Sequence, residues 1–210
     1  MIPLEPWRKV HVTSVLHRTA LAIALTLHVI TAWNSAGYYS ADEHFQIIAF
    51  AQAKLGELPI EHLAWEYDTR IRSSFQPWIA VGVFKIAAAF GTVDPFIRTF
   101  LLRLLTALIS LFAVRGFVRA TLDQVPGHLR KTFIVLSYFL WFLPFLHVRF
   151  SSESWSGVFL LFGLAGILGK RTNGSLIGTG IAFGFAVLCR PPVGFVVLCA
   201  LLWMHFIRKD

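Results

Sequence analysis

Long apolar segments follow one another along this chain and leave it little choice of fold. They occupy roughly residues 15–33, 75–90, 96–118, 132–148, 154–169, 175–189 and 193–207. A helix needs about 20 apolar residues to cross some 30 Å of hydrocarbon, and it satisfies its own backbone hydrogen bonds there. The sequence therefore predicts an all-α, polytopic transmembrane helix bundle of about 6–7 segments, in an integral, multi-pass membrane protein.

Composition and charge support this class. Apolar residues make up 56% of the 210 residues and charged residues only 14%, so a soluble domain of this size could not hide its apolar surface. The net charge of +8 comes from Arg and Lys near segment ends. That placement is typical of membrane anchoring and contact with lipid phosphates, whereas nucleic-acid binding requires a basic face on a soluble fold. We expect membrane lipids as partners and no nucleic acid.

Nothing in the sequence indicates a cofactor or a metal. The two cysteines, Cys189 and Cys199, are ten residues apart, which places them on different faces of a helix and argues against a disulfide. His and carboxylate spacing makes no convincing metal site, and no Gly-rich phosphate loop is present.

The distribution of basic residues predicts an orientation. The first segment follows Arg8 and Lys9, and it is too long for a signal peptide and lacks a small-residue cleavage site. The positive-inside rule then places the amino terminus in the cytoplasm and residues 34–74, here called the outer loop, on the other side.

The later segments allow two topologies. If all of them cross, the basic stretches 119–131 and 170–171 lie outside, against the positive-inside rule. If 75–90 enters without crossing, 119–131, 170–171 and 208–209 all lie inside, and 151–153 shares the side of the outer loop. The charge pattern favours this second topology.

The outer loop carries six of the eleven acidic residues of the chain. Ser40 and Glu43 have the spacing of a capping box, in which each side chain bonds the backbone amide of the other. Helical spacing of apolar residues then predicts a short interfacial helix over about 41–55. Asp42 is not needed for the box, so its first-turn carboxylate is free to accept a proton. Asp42 and Glu43 are the candidate catalytic residues, with capping as the alternative role for Glu43.

A second polar stretch lies about twenty residues further on. Trp65 and Glu66 combine an aromatic face with a carboxylate, which suits stacking on a sugar ring, although interface anchoring explains the Trp equally well. Arg70 and Arg72 have the chemistry to hold a phosphate; contact with lipid headgroups is their alternative role.

Two charged residues near the membrane complete the candidate substrate-binding set. Arg103 lies inside an apolar segment, where a charge costs about 2.5–3.5 kcal/mol, so it is expected to face the bundle interior and pair with a carboxylate or a lipid phosphate. Glu153 follows two serines at a helix start, where capping is the alternative. His28 and His147 are expected to be hydrogen-bonded bundle residues.

These motifs resemble a known family. The sets are Asp42-Glu43-x-x-Gln46, Trp65-Glu66-Tyr67, Arg70-x-Arg72-Ser73 with Pro77 beyond, Arg98-x4-Arg103, Arg149-Phe150-Ser151-Ser152-Glu153 and Arg190-Pro191-Pro192. The first three resemble the first outer loop of GT-C type, polyprenyl-phosphate-sugar-dependent membrane glycosyltransferases. More narrowly, they resemble the mannosyltransferases that extend lipid-linked oligosaccharides and glycosylphosphatidylinositol anchors. Ser40-Ala41 departs from the His-Pro that usually opens the first motif.

The resemblance implies a function for residues 1–210 as a single glycosyltransferase-like module. It implies inverting transfer of a mannose-like sugar from a polyprenyl-phosphate donor to a hydroxyl of a glycan or glycolipid acceptor, with Asp42 as general base. The setting would be the bacterial inner membrane or the endoplasmic reticulum. Family members are usually about twice as long, so the chain is expected to be an amino-terminal part: a fragment, a minimal form, or a split enzyme whose second subunit supplies the missing carboxy-terminal helices.

Two other classes of function stay open at this stage. A non-catalytic subunit would bind lipid-linked sugar or scaffold a partner, and the short length favours it. A transporter would show paired broken helices in inverted repeats, but only Pro191-Pro192 interrupts an apolar stretch, with no counterpart earlier in the chain.

Overall fold

A computed structural model describes residues 6–169 and 172–206, which form helices and no strand. The α-helices are α1 (Pro6–Asn34), α2 (Ala49–Lys54), α3 (Phe75–Ala89), α4 (Pro95–Thr121), α5 (Arg130–Phe139), α6 (Leu143–Leu146), α7 (Ser152–Leu168), α8 (Asn173–Cys189) and α9 (Gly194–Phe206). The all-α prediction is confirmed for this part of the chain.

The two longest helices, α1 and α4, pack antiparallel. Arg103, near the start of α4, donates to the backbone oxygen of Ser35 just after α1. At the other end, Val118 of α4 shares an apolar cluster with Ala20 of α1. Both helices are long and apolar enough to cross a membrane, over Ser14–Asn34 and Pro95–Gln124.

Residues 130–149 run parallel to residues 17–37, which comprise most of α1 and the start of the outer loop. The contacts follow the same order on both sides: His17 Nε2 with the Tyr138 hydroxyl (2.8 Å), His28 Nε2 with His147 Nδ1 (3.3 Å), and the Gly37 oxygen with Arg149 Nη1 (3.3 Å). The expectation that His28 and His147 are hydrogen-bonded within the bundle is confirmed.

The prediction of one continuous segment over 132–148 is wrong, because the helix breaks at Leu140. That residue has φ −59° and ψ 127°, outside the helical region, and α6 begins three residues later. Pro144 explains the break: its ring would clash with the carbonyl of Leu140 in a continuous helix, and it has no amide to donate.

Helices α7 and α8 form the closest pair in the bundle. Ser156 Oγ donates to the backbone oxygen of Ala186 (2.8 Å), and Gly163 faces the buried ring of Phe183. A β-carbon at Gly163 would overlap that ring, so glycine is required for this close approach.

We therefore expect Gly163→Ala to destabilise the bundle by about 1–3 kcal/mol, the usual cost of overpacking. Thermal unfolding in detergent measures this change. Gly157→Ala in the same helix is the matched control, because a β-carbon there meets open space and Ala favours a helix. Equal stability of the two variants would contradict the packing argument.

Helix α3 begins and ends beside the outer loop. Its first turn follows the loop directly, and Gln76 in that turn lines a narrow cleft together with Gln46 and Arg72 of the loop. After α3 the chain returns to the loop, since Arg98 of α4 forms an ion pair with Glu57 (2.9 Å). These contacts favour the topology in which 75–90 does not cross, and the side of the membrane stays a prediction.

Much of the helical surface is apolar. Large apolar side chains are exposed on α1, α3 and α9, among them Ile23, Ile86 and Phe195. Four apolar helical stretches are shorter than the usual span: Phe75–Ala89, Ser152–Leu168, Asn173–Cys189 and Pro191–Phe206. The basic pairs Lys170-Arg171 and Arg208-Lys209, which the topology argument used, lie outside the described residues.

Cysteine labelling in intact cells tests the topology. In a Cys199→Ser background, His128→Cys is expected to resist a membrane-impermeant maleimide, because the loop between α4 and α5 faces the cytoplasm if α3 does not cross. Asp68→Cys in the outer loop is the positive control. Both positions are exposed, so access alone does not distinguish them. Labelling of His128→Cys from outside would show that α3 crosses.

Candidate functional site

The outer loop folds onto the bundle through a short helix. A π-helical turn, Glu43–Ile48, continues directly into α2, which confirms the helix expected over about 41–55. Ile47 and Ala51 on its inner face pack against Ala80 and Phe84 of α3. The burial of this apolar face holds the first polar residues of the helix at the rim of the bundle. Single π-helical turns are frequent at functional sites.

Four polar side chains meet beside this helix, and we call them the carboxylate network. Gln46 Nε2 donates to Asp42 Oδ1 (3.0 Å) and to both oxygens of Glu66 (2.9 and 3.1 Å). Arg72 Nη2 lies 3.2 Å from Glu66 Oε1 and 3.9 Å from Asp42 Oδ2. The two polar stretches of the outer loop, about twenty residues apart in sequence, therefore form one site.

The two carboxylates of the network differ in exposure. The side chain of Asp42 is 38% exposed, whereas that of Glu66 is 13% exposed and held by both Gln46 and Arg72. Glu66 is therefore fixed in place, while Asp42 keeps an open side from which a ligand can approach.

Glu43 is not part of a capping box, and that prediction is wrong. Its Oε2 accepts a hydrogen bond from the backbone amide of Tyr39 (2.9 Å), and Ser40 Oγ has no hydrogen-bond partner among the described residues. The Glu43 side chain is only 5% exposed and lies 4.0 Å from Arg149 Nη1. Long-range pairing with Arg149 replaces the local cap, because a buried carboxylate requires a charged partner.

Arg103 faces the bundle interior as predicted, but its partners differ from those expected. It donates to the backbone oxygens of Ser35 and Gly37, the latter at 2.8 Å, and not to a carboxylate. Both residues lie just beyond Asn34, the end of α1, so their carbonyls accept no hydrogen bond from within that helix. Arg103 thus joins α4 to the end of α1.

A cavity of about 390 Å³ lies on the side of the π-helical turn that faces α1 and α4. Its lining is mostly apolar, and the ionisable residues in it are Tyr38, Glu43, His44 and Arg103. The rings of Tyr38 and His44 stack with centroids 5.7 Å apart. Glu43 and Arg103 therefore meet at one cavity without bonding each other, and Asp42 lies on the other side of the turn.

Two of the predicted substrate-binding residues stand apart. Trp65, which precedes the largely buried Glu66, is 66% exposed, and Arg70 is exposed too. Arg70 has φ 53°, in the left-handed region that residues with a β-carbon rarely adopt. This turn separates Arg70 from the network that Arg72 joins two residues later.

Glu153 is near the loop but belongs to another contact. It forms an ion pair with Arg190, at the break between α8 and α9, and accepts from Ser152 Oγ (3.3 Å). Ser152 in turn lines a narrow cleft with Gln46 and Arg72. Glu153 therefore fixes the rim of the bundle beside the network without entering it.

The sequence interpretation left three polar residues out of the site. Gln46 holds the network together, and its i+4 spacing from Asp42 was a usable signal. Arg149 is a charge at the end of an apolar segment, which predicts a buried partner. Arg190 was part of a family-like motif, but nothing local indicated its partner Glu153, which is 37 residues away. Within residues 6–169 and 172–206, no group of three His, Cys, Asp or Glu is placed to hold a metal.

Two of the described helices are long and apolar enough to cross a membrane, and the carboxylate network lies where the outer loop packs on the bundle. The sequence profile of the Alg9-like mannosyltransferase family matches residues 19–210, so the chain belongs to that glycosyltransferase family. The family resemblance inferred from the loop motifs is confirmed. No curated protein and no solved structure shows significant similarity to the chain.

We expect Arg103→Leu to lower stability by about 1–3 kcal/mol, because the buried Ser35 oxygen loses its donor, whereas the Gly37 oxygen still accepts from Arg149. Thermal unfolding in detergent measures the effect. Arg119→Leu is the matched control: it removes an exposed arginine from the last turn of the same helix. A normal melting temperature for Arg103→Leu would show that this arginine serves a ligand and not the fold.

Proposed function

We propose that this chain transfers a mannose-like sugar from a polyprenyl-phosphate donor to a hydroxyl of a glycan or glycolipid acceptor, with inversion, at the outer membrane face. The proposal joins the family's activity to one observation: Asp42 is the more exposed of the two carboxylates that Gln46 and Arg72 hold together. Membrane lipids are its surroundings, and the setting is the bacterial inner membrane or the endoplasmic reticulum.

Asp42 is assigned as the general base. It is the N-cap residue of the π-helical turn, and its side chain makes no capping hydrogen bond, so the carboxylate is available to a ligand. The acceptor oxygen attacks the anomeric carbon and gives its proton to Asp42, while the bond from that carbon to the donor phosphate oxygen breaks. The polyprenyl phosphate leaves with the bonding electrons on the opposite face, which inverts the configuration.

Gln46 orients this base. Its amide nitrogen donates to Asp42 at 3.0 Å and is itself fixed by Glu66. With Oδ1 held in this way, Oδ2 is the oxygen open to an acceptor; it lies 3.9 Å from Arg72 Nη2 in a side chain that is 38% exposed. Orientation of this kind contributes to catalysis because the reacting atoms need no further ordering.

Arginines supply the charge for the leaving phosphate. Arg72 is 30% exposed, and Arg70 is exposed beyond it, so both are accessible from the interface. Arg103 contributes positive potential at the adjacent cavity. Charge-assisted bonds from guanidinium groups stabilise a phosphate that gains negative charge in the transition state.

Trp65 and Glu153 are assigned to the borders of the substrate site. The exposed Trp65 ring offers a face for a sugar beside Glu66. Glu153 with Arg190 forms the opposite rim.

The test is Asp42→Asn, which we expect to lower turnover by about 10²-fold or more while the protein folds normally, since loss of a general base has this scale. Asn keeps the volume and the first-turn position, and its side chain still has a polar oxygen for Gln46. Membranes expressing the chain, with any partner chain co-expressed, are incubated with radiolabelled polyprenyl-phosphate mannose, and labelled lipid or glycan is extracted.

Asp68→Asn is the matched control, because it changes an exposed acid of the same loop outside the carboxylate network. It should keep full activity. Full activity of Asp42→Asn would remove Asp42 as base. An inactive wild type that still binds the labelled donor would favour a non-catalytic subunit that holds lipid-linked sugar.

A further inference from the structure

Arg149 occupies the short segment between α6 and α7, far in sequence from the outer loop. Its side chain is only 6% exposed, although it carries a full charge. We propose that Arg149 is a positioning residue, which fixes Glu43 and the 37–43 turn and thereby holds the Asp42 carboxylate in place; this inference rests on the proposed function.

The first contact joins Arg149 to Glu43. Arg149 Nη1 lies 4.0 Å from Glu43 Oε2, and the same oxygen accepts the Tyr39 amide at 2.9 Å. Glu43 is thus held from two directions, by the bundle and by the backbone of its own loop. Separating two opposite charges that are both buried is costly, so the pair favours a fixed position for Glu43.

The second contact joins Arg149 to the start of the turn. Arg149 Nη1 donates to the Gly37 oxygen (3.3 Å), which also accepts from Arg103 Nη2 (2.8 Å). Two buried arginines from separate segments therefore converge on one carbonyl. Gly37 has φ 63°, a left-handed conformation that a glycine adopts at no steric cost, so the turn is shaped to present this carbonyl.

Aromatic rings close the arrangement. The Arg149 guanidinium lies over the Phe145 ring at 4.5 Å, and the Phe145 ring meets the Tyr39 ring edge-on with centroids 5.4 Å apart. Tyr39 then donates its amide to Glu43. Contacts thus pass from Arg149 through Phe145 and Tyr39 to Glu43 and back, and both ends of the turn are tied to one side chain.

The position of Asp42 follows from this closure. Asp42 immediately precedes Glu43 at the start of the π-helical turn, so any displacement of Glu43 moves the Asp42 carboxylate relative to Gln46. Arg149 neither lines the 390 Å³ cavity nor bonds a member of the carboxylate network. Its influence on the reaction therefore passes through Glu43 and the rest of the 37–43 turn.

Hydrogen exchange tests the positioning without relying on activity. In purified full-length protein, Arg149→Met should make the Tyr39 amide exchange at least about tenfold faster, because the acceptor Glu43 loses its anchor. Arg98→Met is the matched control, since it removes another buried arginine that pairs with a loop acid, Glu57, away from this turn. Unchanged exchange at Tyr39 would overturn the proposal, whether or not the wild type is an active transferase.

Kinetics provides the second readout. We expect Arg149→Met to lower kcat by about tenfold to 10²-fold with KM nearly unchanged, as misplacement of a catalytic group does. Arg149→Lys keeps the charge but loses the guanidinium fork, so it should restore part of both kcat and amide protection. A rise in KM alone would assign Arg149 to substrate binding and overturn the positioning role.

If Arg149→Met fails to accumulate, Arg149→Lys tests the same link, because it keeps the charge and loses the guanidinium fork. Arg98→Lys is its matched control, since Arg98 pairs with Glu57 away from this turn. Faster exchange at Tyr39 in Arg149→Lys but not in Arg98→Lys supports the proposal, and wild-type protection in Arg149→Lys contradicts it.

Discussion

The site depends on the burial of two arginines against the carbonyl of Gly37. Arg103 comes from α4 and Arg149 from the segment before α7, and both donate to this oxygen just beyond the end of α1. A charge in the bundle interior is costly unless it is paired, so breaking these contacts would destabilise the fold. They fix where the outer loop leaves α1, and every later residue of the site is placed from that point.

From there the loop acquires two faces. The π-helical turn directs Glu43 and His44 to the cavity beside α1 and α4, while Asp42 and Gln46 meet Glu66 and Arg72 on the other side. The adjacent residues Asp42 and Glu43 thereby differ in environment. The Asp42 carboxylate is partly exposed, whereas the Glu43 carboxylate is buried beside an arginine. This division of environments explains why the proposed base is Asp42, although the two side chains carry the same group.

Sequence reasoning was most reliable where the information is local. The short helix after Ser40, the inward position of Arg103 and the family assignment all followed from spacing, hydropathy and motif. It was least reliable where a distant partner decides the outcome. The capping box at Glu43 was locally plausible, but Arg149, more than a hundred residues away, offers a charged partner that the Ser40 amide cannot match. Pro144 indicates the break at Leu140, but hydropathy does not, because the residues on both sides of the break are apolar.

The sequence by itself determined the helical membrane class, the acidic outer loop and the membership of a mannosyltransferase family. Each of these depends on apolar patterns or short motifs, which are local properties of the sequence. Only the tertiary structure decided that Gln46 joins Asp42 to Glu66, that Arg72 but not Arg70 enters this network, and that Glu153 pairs with Arg190. Gln46 and Glu66 are 20 residues apart and Glu153 and Arg190 are 37 apart, so these contacts depend on how the segments pack and not on neighbours in sequence.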